Sequence, residues 1–295
     1  MLVVGSNGQL GSDCMSVLGK AGAVQGTDVP EIDISDNLQS ADVLNRLRPE
    51  IIVNCAAYTA VDACESDPAC WKINADGPRF LAQWALENGA FLVHVSTDYV
   101  FDGEKPLFSA YTEADEPSPV SEYGKSKLAG EQAVLESGAE AAILRTAWLY
   151  GANGKNFLKT MLRMALQNQE REIRVVNDQF GSPTWSHTLA RQIAAVVESR
   201  ATGIFHATSE GHCSWYDLAD SFLKQMGVPF QMAPCTSAEY PSPARRPQNS
   251  ILENAHLKKA DLNVFSDWRD ELEMFVAQCG ASVLNEVRSS LVPGL

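Results

Sequence analysis

Met1-Leu2-Val3-Val4-Gly5-Ser6-Asn7-Gly8-Gln9-Leu10-Gly11 runs a short apolar strand into three glycines spaced three apart, with a helical stretch over 10–20 beyond them. A plain turn from strand to helix needs one glycine. Three let backbone amides close on a pyrophosphate, and the helix N-terminus adds partial positive charge to receive it. The stretch therefore predicts a nucleotide site around Gly5, Gly8, Gln9, Leu10 and Gly11, at the end of the first strand of a parallel α/β sheet. Ala23-Val24-Gln25-Gly26-Thr27-Asp28 reads as the second strand. A carboxylate at Asp28 can accept hydrogen bonds from adenosine ribose hydroxyls, and it repels a 2′-phosphate. No lysine or arginine lies between Lys20 and Arg46 to welcome that phosphate. NADH is expected over NADPH.

The βα alternation continues outward. A helix over 40–48 ends at Pro49, Ile51-Ile52-Val53-Asn54 is a buried strand, and a long helix is expected over 68–88. The small residues of Ala56-Ala57-Tyr58-Thr59 let a loop lie against a flat cofactor. Phe91-Leu92-Val93-His94-Val95 forms the fourth strand and delivers Ser96-Thr97 at its carboxyl end; Ala142-Ile143-Leu144-Arg145 forms the fifth. Open parallel sheets bind ligands outside those carboxyl ends, where every motif named so far falls. Tyr123-Gly124-Lys125-Ser126-Lys127 then places a phenol and an ammonium on one helical face. A fixed positive charge beside a phenol lowers its pKa from about 10, making Tyr123 a usable acid or base near neutrality. The pairing points to proton transfer at a carbonyl or an alcohol.

Beyond Gly151 the texture changes. Helical stretches over 157–167 and 187–198 flank a loop at 177–184, Gly203-Ile204-Phe205-His206-Ala207 reads as a further strand, and Ser214 with Asp217 is spaced as a capping box. The Pro-rich segment 240–247 is expected as a rigid loop. Residues 1–150 thus form the dinucleotide-binding domain, to which 173–208 returns, and 151–295 forms mainly a smaller lobe over the mouth of the sheet.

Composition narrows the function. The 295 residues are 45% hydrophobic and 20% charged, with a net charge of −14, which speaks against a nucleic-acid partner. An anionic substrate must then be met by local arginines, not by the general field. No apolar run is long enough to span a bilayer, and the N-terminus enters the first strand directly with no room for a signal peptide, so a cytoplasmic location is expected. The seven cysteines lack paired Cys-x-x-Cys spacing, so neither zinc nor a disulfide framework is expected, and Cys64 and Cys70 read as free thiols. His94, His187, His206 and His212 have no metal pattern and read as structural or exposed.

The chain resembles the extended short-chain dehydrogenase/reductases and, within them, the dTDP-4-dehydrorhamnose reductase family. Runs that carry the resemblance are residues 5–11, Asn54-Cys55-Ala56-Ala57-Tyr58-Thr59-Ala60-Val61-Asp62, Ser96-Thr97-Asp98-Tyr99-Val100-Phe101, Tyr123 to Glu131, Arg145-Thr146-Ala147-Trp148, Asn156-Phe157, residues 178–184 and Ala244-Arg245-Arg246-Pro247-Gln248-Asn249-Ser250. They span nearly the whole chain in the family's order.

The resemblance implies an α/β fold, a Rossmann-type doubly wound parallel sheet with a smaller C-terminal substrate-binding lobe. It implies reduction of the C4 ketone of a dTDP-linked 4-keto-6-deoxyhexose, dTDP-4-dehydro-L-rhamnose, by NAD(P)H. Tyr123 would donate the proton, Lys127 would support it and touch the cofactor ribose, and Thr97 would tune the tyrosine. Thr97 and Asp98 would contact the sugar and Trp148 would pack on it. Asp33 and Ile34 would line the adenine, and Ala56, Ala57 and Tyr58 the nicotinamide half. Arg245 and Arg246 are candidates for the diphosphate, since guanidinium forks suit phosphate oxygens; a structural pair holding the Pro-rich loop is the other reading. Some relatives bind Mg2+ near a dimer contact; no ligand set maps here, so Mg2+ stays unassigned, and a homodimer is compatible with the family. Two alternatives stand beside this reading. One is a reductase or epimerase of another nucleotide-linked keto-sugar. The other is a non-catalytic NADP-binding subunit resembling the β subunit of methionine adenosyltransferase. A dehydratase would want an acid after Thr97-Asp98, and Tyr99 stands there.

Overall fold

The computed structural model of the chain describes residues 1–168, 170–240 and 242–291, so Pro241 of the expected Pro-rich loop lies outside the described residues. Its centre is a six-stranded sheet of β1 (Leu2–Val4), β2 (Gln25–Thr27), β3 (Ile51–Asn54), β4 (Phe91–Thr97), β5 (Ala141–Thr146) and β6 (Gly203–His206). The spatial order is β2-β1-β3-β4-β5-β6, with every pairing parallel. This is a Rossmann-like α/β sheet. Chain order reverses between β1 and β3, which opens a crevice at their carboxyl ends.

Strands of a parallel sheet are buried on both faces and so read as continuous apolar runs. Here successive residues supply opposite faces. Val3, Val53, Val93 and Leu144 enter one core, while Leu2, Ile52, Leu92 and Ile143 enter the other. The longer helices are α1 (Gln9–Leu18), α2 (Asn37–Leu47), α3 (Gly77–Asn88), α4 (Glu122–Ser137), α5 (Phe157–Gln167), α6 (Ser186–Ser199), α7 (Trp215–Gln225) and α8 (Trp268–Leu291). Leu10 and Cys14 of α1 join Leu189 and Ile193 of α6 on the first face. Val43, Leu81, Ala85 and Val134 bring α2, α3 and α4 to the second. A separate core gathers Leu158 and Leu162 of α5, Phe222 of α7, and Leu272 and Phe275 of α8.

The expected helix over 68–88 is interrupted. A turn at Ala69–Trp71 passes through a π-helical segment, Lys72–Asp76, before α3 begins. Such widenings turn one side chain out of helical register, often at a functional site; here that segment contains Asn74. The parallel pair Glu172–Val176 with Gln231–Cys235 and the long helix α8 are elements the sequence reading did not anticipate.

Candidate active site

The glycine loop is tight for steric reasons. Gly5 has φ of +77°, and a Cβ there would stand 2.7 Å from the backbone nitrogen of Ala56. A Cβ on Gly11 would fall on the Gly5 carbonyl oxygen. Gly8 is the N-cap of α1 and has no side chain to cap it, and the first turn carries no acidic residue. The amides that a helix leaves unpaired at its start thus remain open to an anion. Asp28 closes the other edge of the loop, its two oxygens accepting from the backbone N–H groups of Asn7 and Val29 at 2.9 Å each. Gln9 is held from the second lobe: its Oε1 accepts from Asn156 Nδ2 at 2.9 Å, while Asn156 Oδ1 caps α5 through the Lys159 N–H.

The adenine-side pair fits its expected role less directly. Asp33 closes a turn on Ser35, accepting from its N–H at 2.9 Å and its hydroxyl at 2.7 Å, and the Ile34 side chain is buried against Gly77. Both side chains serve the fold, which leaves the backbone as the face they could offer a base.

On the opposite side of the crevice, Asn74 organises the loop of Ala56, Ala57 and Tyr58. Its Oδ1 accepts from the Tyr58 N–H at 2.8 Å, and its Nδ2 donates to the Tyr58 carbonyl at 3.0 Å and to Ser126 Oγ at 3.1 Å. Ser126 lies on α4 between Tyr123 and Lys127, so one buried amide ties the loop to that helix. Asn74 was missed in the sequence, where it is one polar residue inside a long helical run.

Tyr123 and Lys127 are both buried on α4. The arrangement differs from the expected phenol–ammonium couple. Lys127 Nζ donates to the Val95 carbonyl of β4 at 2.7 Å. Burial lowers its pKa to about 8, against a pull upward from Glu131. The phenol is surrounded by Thr97, Asp98 and Tyr99, and burial pushes its pKa up, with hydrogen bonding to Thr97 acting the other way. The expected lowering is therefore corrected: desolvation raises the phenol, the charge of Asp98 adds to the rise, and the Lys127 ammonium is turned to the Val95 carbonyl. Thr97 donates to Asp98 Oδ1 at 2.9 Å, while Asp98 Oδ2 is buried without a hydrogen-bond partner among the described residues. Burial raises the Asp98 carboxyl to about 6. The Tyr99 ring meets Tyr123 edge-on at 5.5 Å.

His94 sits beneath this group. Its Nδ1 faces Asn54 Nδ2 at 3.1 Å and must accept, so the proton resides on Nε2. Burial and the charge of Lys127 keep the ring neutral.

A second correction concerns Cys64 and Cys70, which the structure pairs as a disulfide with Cα atoms 5.3 Å apart. The turn between two short helices, Val61–Cys64 and Ala69–Trp71, brings them into range. Spacing along the chain could not show this. The bond packs beside Tyr123 and Tyr58.

Trp148 follows β5 with φ of +47°, a backbone conformation costly for a bulky residue. Its ring stacks on Trp215 at 3.6 Å between centroids and 7° between planes. Both rings are half-buried and form one apolar stack on the second lobe, with Gly181 close against Trp148. Trp215 is the first residue of α7, whose start is closed by the Ser214–Asp217 capping box. Arg246 pairs with Asp62 at 3.1 Å and Arg245 with Glu104 at 3.4 Å. These two arginines line a cavity of about 460 Å3 together with Asp102, Lys105 and Gln248. Among the described residues, no group of three or more His, Cys, Asp or Glu side chains could hold a metal ion, and no helix is long and apolar enough to cross a membrane.

Comparison with known proteins adds to this geometry. Residues 1–280 match the family model described as RmlD substrate binding domain. A dTDP-4-dehydrorhamnose reductase of Burkholderia thailandensis is 40% identical over 287 residues, covering 91% of this chain and 95% of that protein. A dTDP-4-keto-6-deoxy-D-glucose reductase of Streptomyces niveus is 39% identical, covering 92% and 94%. The crystal structure of dTDP-4-dehydrorhamnose reductase from Bacillus anthracis in complex with NADP superposes with a TM-score of 0.90 at 36% identity, covering 94% of this chain and 98% of that one.

Proposed function

The chain belongs to the RmlD substrate binding domain family, and from that premise we propose that it reduces the C4 ketone of dTDP-4-dehydro-L-rhamnose to dTDP-L-rhamnose. The observation that carries the reading is the convergence of Tyr123, Thr97, Asp98 and Lys127 at the carboxyl end of β4, facing the crevice beside the glycine loop.

The residues of the crevice fit a nicotinamide dinucleotide. Gly5 and Gly11 let the loop fold tightly on its own backbone where a side chain would clash, beside an uncapped helix N-terminus at Gly8 suited to a pyrophosphate. Asp28 stands where ribose hydroxyls would meet a carboxylate, and Lys127 has two further N–H donors beyond the one given to Val95. A bound reduced nicotinamide would supply the hydride. Asp28, together with the lack of any lysine or arginine between Lys20 and Arg46, favours NADH over NADPH. The Bacillus anthracis relative binds NADP, so NADPH is retained as a second donor.

A buried phenol with a raised pKa stays protonated at neutral pH, which is the form a reductase needs. Tyr123 gives that proton to the C4 oxygen as negative charge develops there. Thr97 and Asp98 orient the phenol and the sugar hydroxyls, and Lys127 balances the phenolate left behind. The stack of Trp148 and Trp215 receives the apolar face of the hexose, and Arg246 and Arg245 receive the diphosphate, whose binding energy orients the distant ketone.

The resemblance to the Streptomyces niveus enzyme favours one second reading, a reductase of a different dTDP-linked 4-keto-sugar. Cofactor oxidation followed at 340 nm with both keto-sugars, each with NADH and NADPH, separates them. The proposal expects a higher kcat/KM for dTDP-4-dehydro-L-rhamnose and for NADH. A preference for dTDP-4-keto-6-deoxy-D-glucose moves the assignment to the second reading, and equal efficiency with NADPH removes the cofactor preference.

A further inference from the structure

Asp62 sits on the one-turn helix Val61–Cys64, just after the loop that carries Ala56, Ala57 and Tyr58. Both of its carboxylate oxygens are given to one distant segment. Oδ1 accepts from the Ala244 N–H at 3.2 Å, and Oδ2 accepts from the Arg246 guanidinium at 3.1 Å. Arg246 Nε donates to Ser242 Oγ at 3.3 Å, and that hydroxyl donates to the Ala244 carbonyl at 2.8 Å, so the segment is closed on itself. The charge of Arg246 also reaches the phenol of Tyr99, whose ring rests against Tyr123. One carboxylate thus joins the cofactor side of the crevice to the substrate side.

The Asp62–Arg246 pair is partly exposed, 34% for the arginine and 42% for the aspartate, so its worth to the fold itself is small. Its geometric effect is larger. A carboxylate that accepts from a backbone N–H and a guanidinium sets both the place of the segment and the aim of the arginine. Without it, Arg246 is a long, rotamer-rich side chain that must be ordered each time an anion arrives.

We propose that Asp62 is a positioning residue that holds Arg246 pre-aimed at the diphosphate of the nucleotide sugar, linking substrate affinity to the loop of Ala56, Ala57 and Tyr58. The inference rests on the reading of Arg246 as a diphosphate ligand. Calorimetric titration of the full chain with dTDP, at saturating cofactor, tests it without turnover. Wild type, Asp62→Asn, Asp62→Glu, Arg246→Gln and the double variant are compared, alongside KM and kcat for the keto-sugar and cofactor Kd.

Asp62→Asn should weaken dTDP binding and raise the keto-sugar KM roughly tenfold, the scale of one charge-assisted hydrogen bond, while kcat and cofactor Kd hold. Asp62→Glu should recover part of the loss. The double variant should be no worse than Arg246→Gln, because the two residues act through one contact. Unchanged dTDP affinity in Asp62→Asn, additive losses, or an equal fall in cofactor affinity and thermal midpoint would overturn the proposal. So would an Asp62→Asn chain that does not fold. A wild type that binds dTDP but does not reduce the keto-sugar refutes the reductase reading, and the dTDP affinities still decide the role of Asp62. A wild type that binds no dTDP refutes that role itself.

Discussion

Burial acts in opposite senses on the two groups at the centre of the site. It raises the pKa of Tyr123 and lowers that of Lys127, because in each case the charged form loses its water. For Lys127 the sign is set by a folded pKa of about 8 against an ordinary value of 10.5. The chain thus bears the cost of the buried cation below about pH 8, and that cost fades as pH rises through this value. The proposed reaction makes the opposite demand, since the cation is the form that would balance a phenolate. Above the range in which Asp98 titrates, the free enzyme's kcat/KM should therefore be level to about pH 8 and fall about tenfold per unit beyond it. Lys127→Arg keeps its charge throughout and should lose that alkaline limb, at a lower plateau set by altered geometry. A wild-type profile level to pH 9.5 would contradict the assignment. Asp98 belongs to the same scale: burial raises its carboxyl to about 6, while the hydroxyls of Ser250 and Thr97 pull the other way.

At the scale of elements, the disulfide between Cys64 and Cys70 ties the helix that carries Asp62 to the turn that leads into Asn74. Seven cysteines less this pair leave five free thiols. Alkylation of the denatured, unreduced chain should label five cysteines by mass spectrometry, and prior reduction should raise that to seven. Seven labels without reduction would restore the free-thiol reading. Much of the architecture was legible because local signals were strong. Leu2-Val3-Val4, Ile51-Ile52-Val53 and Phe91 to Val95 are largely apolar runs that end at turn or polar residues, and α5 was read to its observed limits of 157–167. The less legible parts depend on contacts distant in sequence. Asn74 matters because a π-helical turn aims it at Tyr58, and Trp215 matters because Trp148 folds onto it from β5. Neither relation leaves a periodic trace. The pKa of Tyr123 was misjudged for a related reason: spacing places two residues on one helical face but says nothing of how deeply that face is buried.

At the scale of the whole molecule, the crevice is assembled from both halves of the chain. Gln9 and Asn156 join the glycine loop to α5, Ser186 on α6 donates to Asp13 on α1 at 2.5 Å, and Asp62 reaches Arg246. Strand β6 and helix α6 belong to the central sheet and its cover although they follow α5 in the chain, so the second lobe is threaded through the first. The role proposed for Tyr123 as proton donor is the central claim at this scale. The most direct test is single-turnover cofactor oxidation at 340 nm with dTDP-4-dehydro-L-rhamnose, for wild type and Tyr123→Phe at matched cofactor saturation. Tyr123→Phe should slow the chemical step about 10²- to 10⁴-fold, the usual worth of a positioned acid, with substrate and cofactor affinities nearly unchanged. A Tyr123→Phe protein that turns over at the wild-type rate would contradict that role.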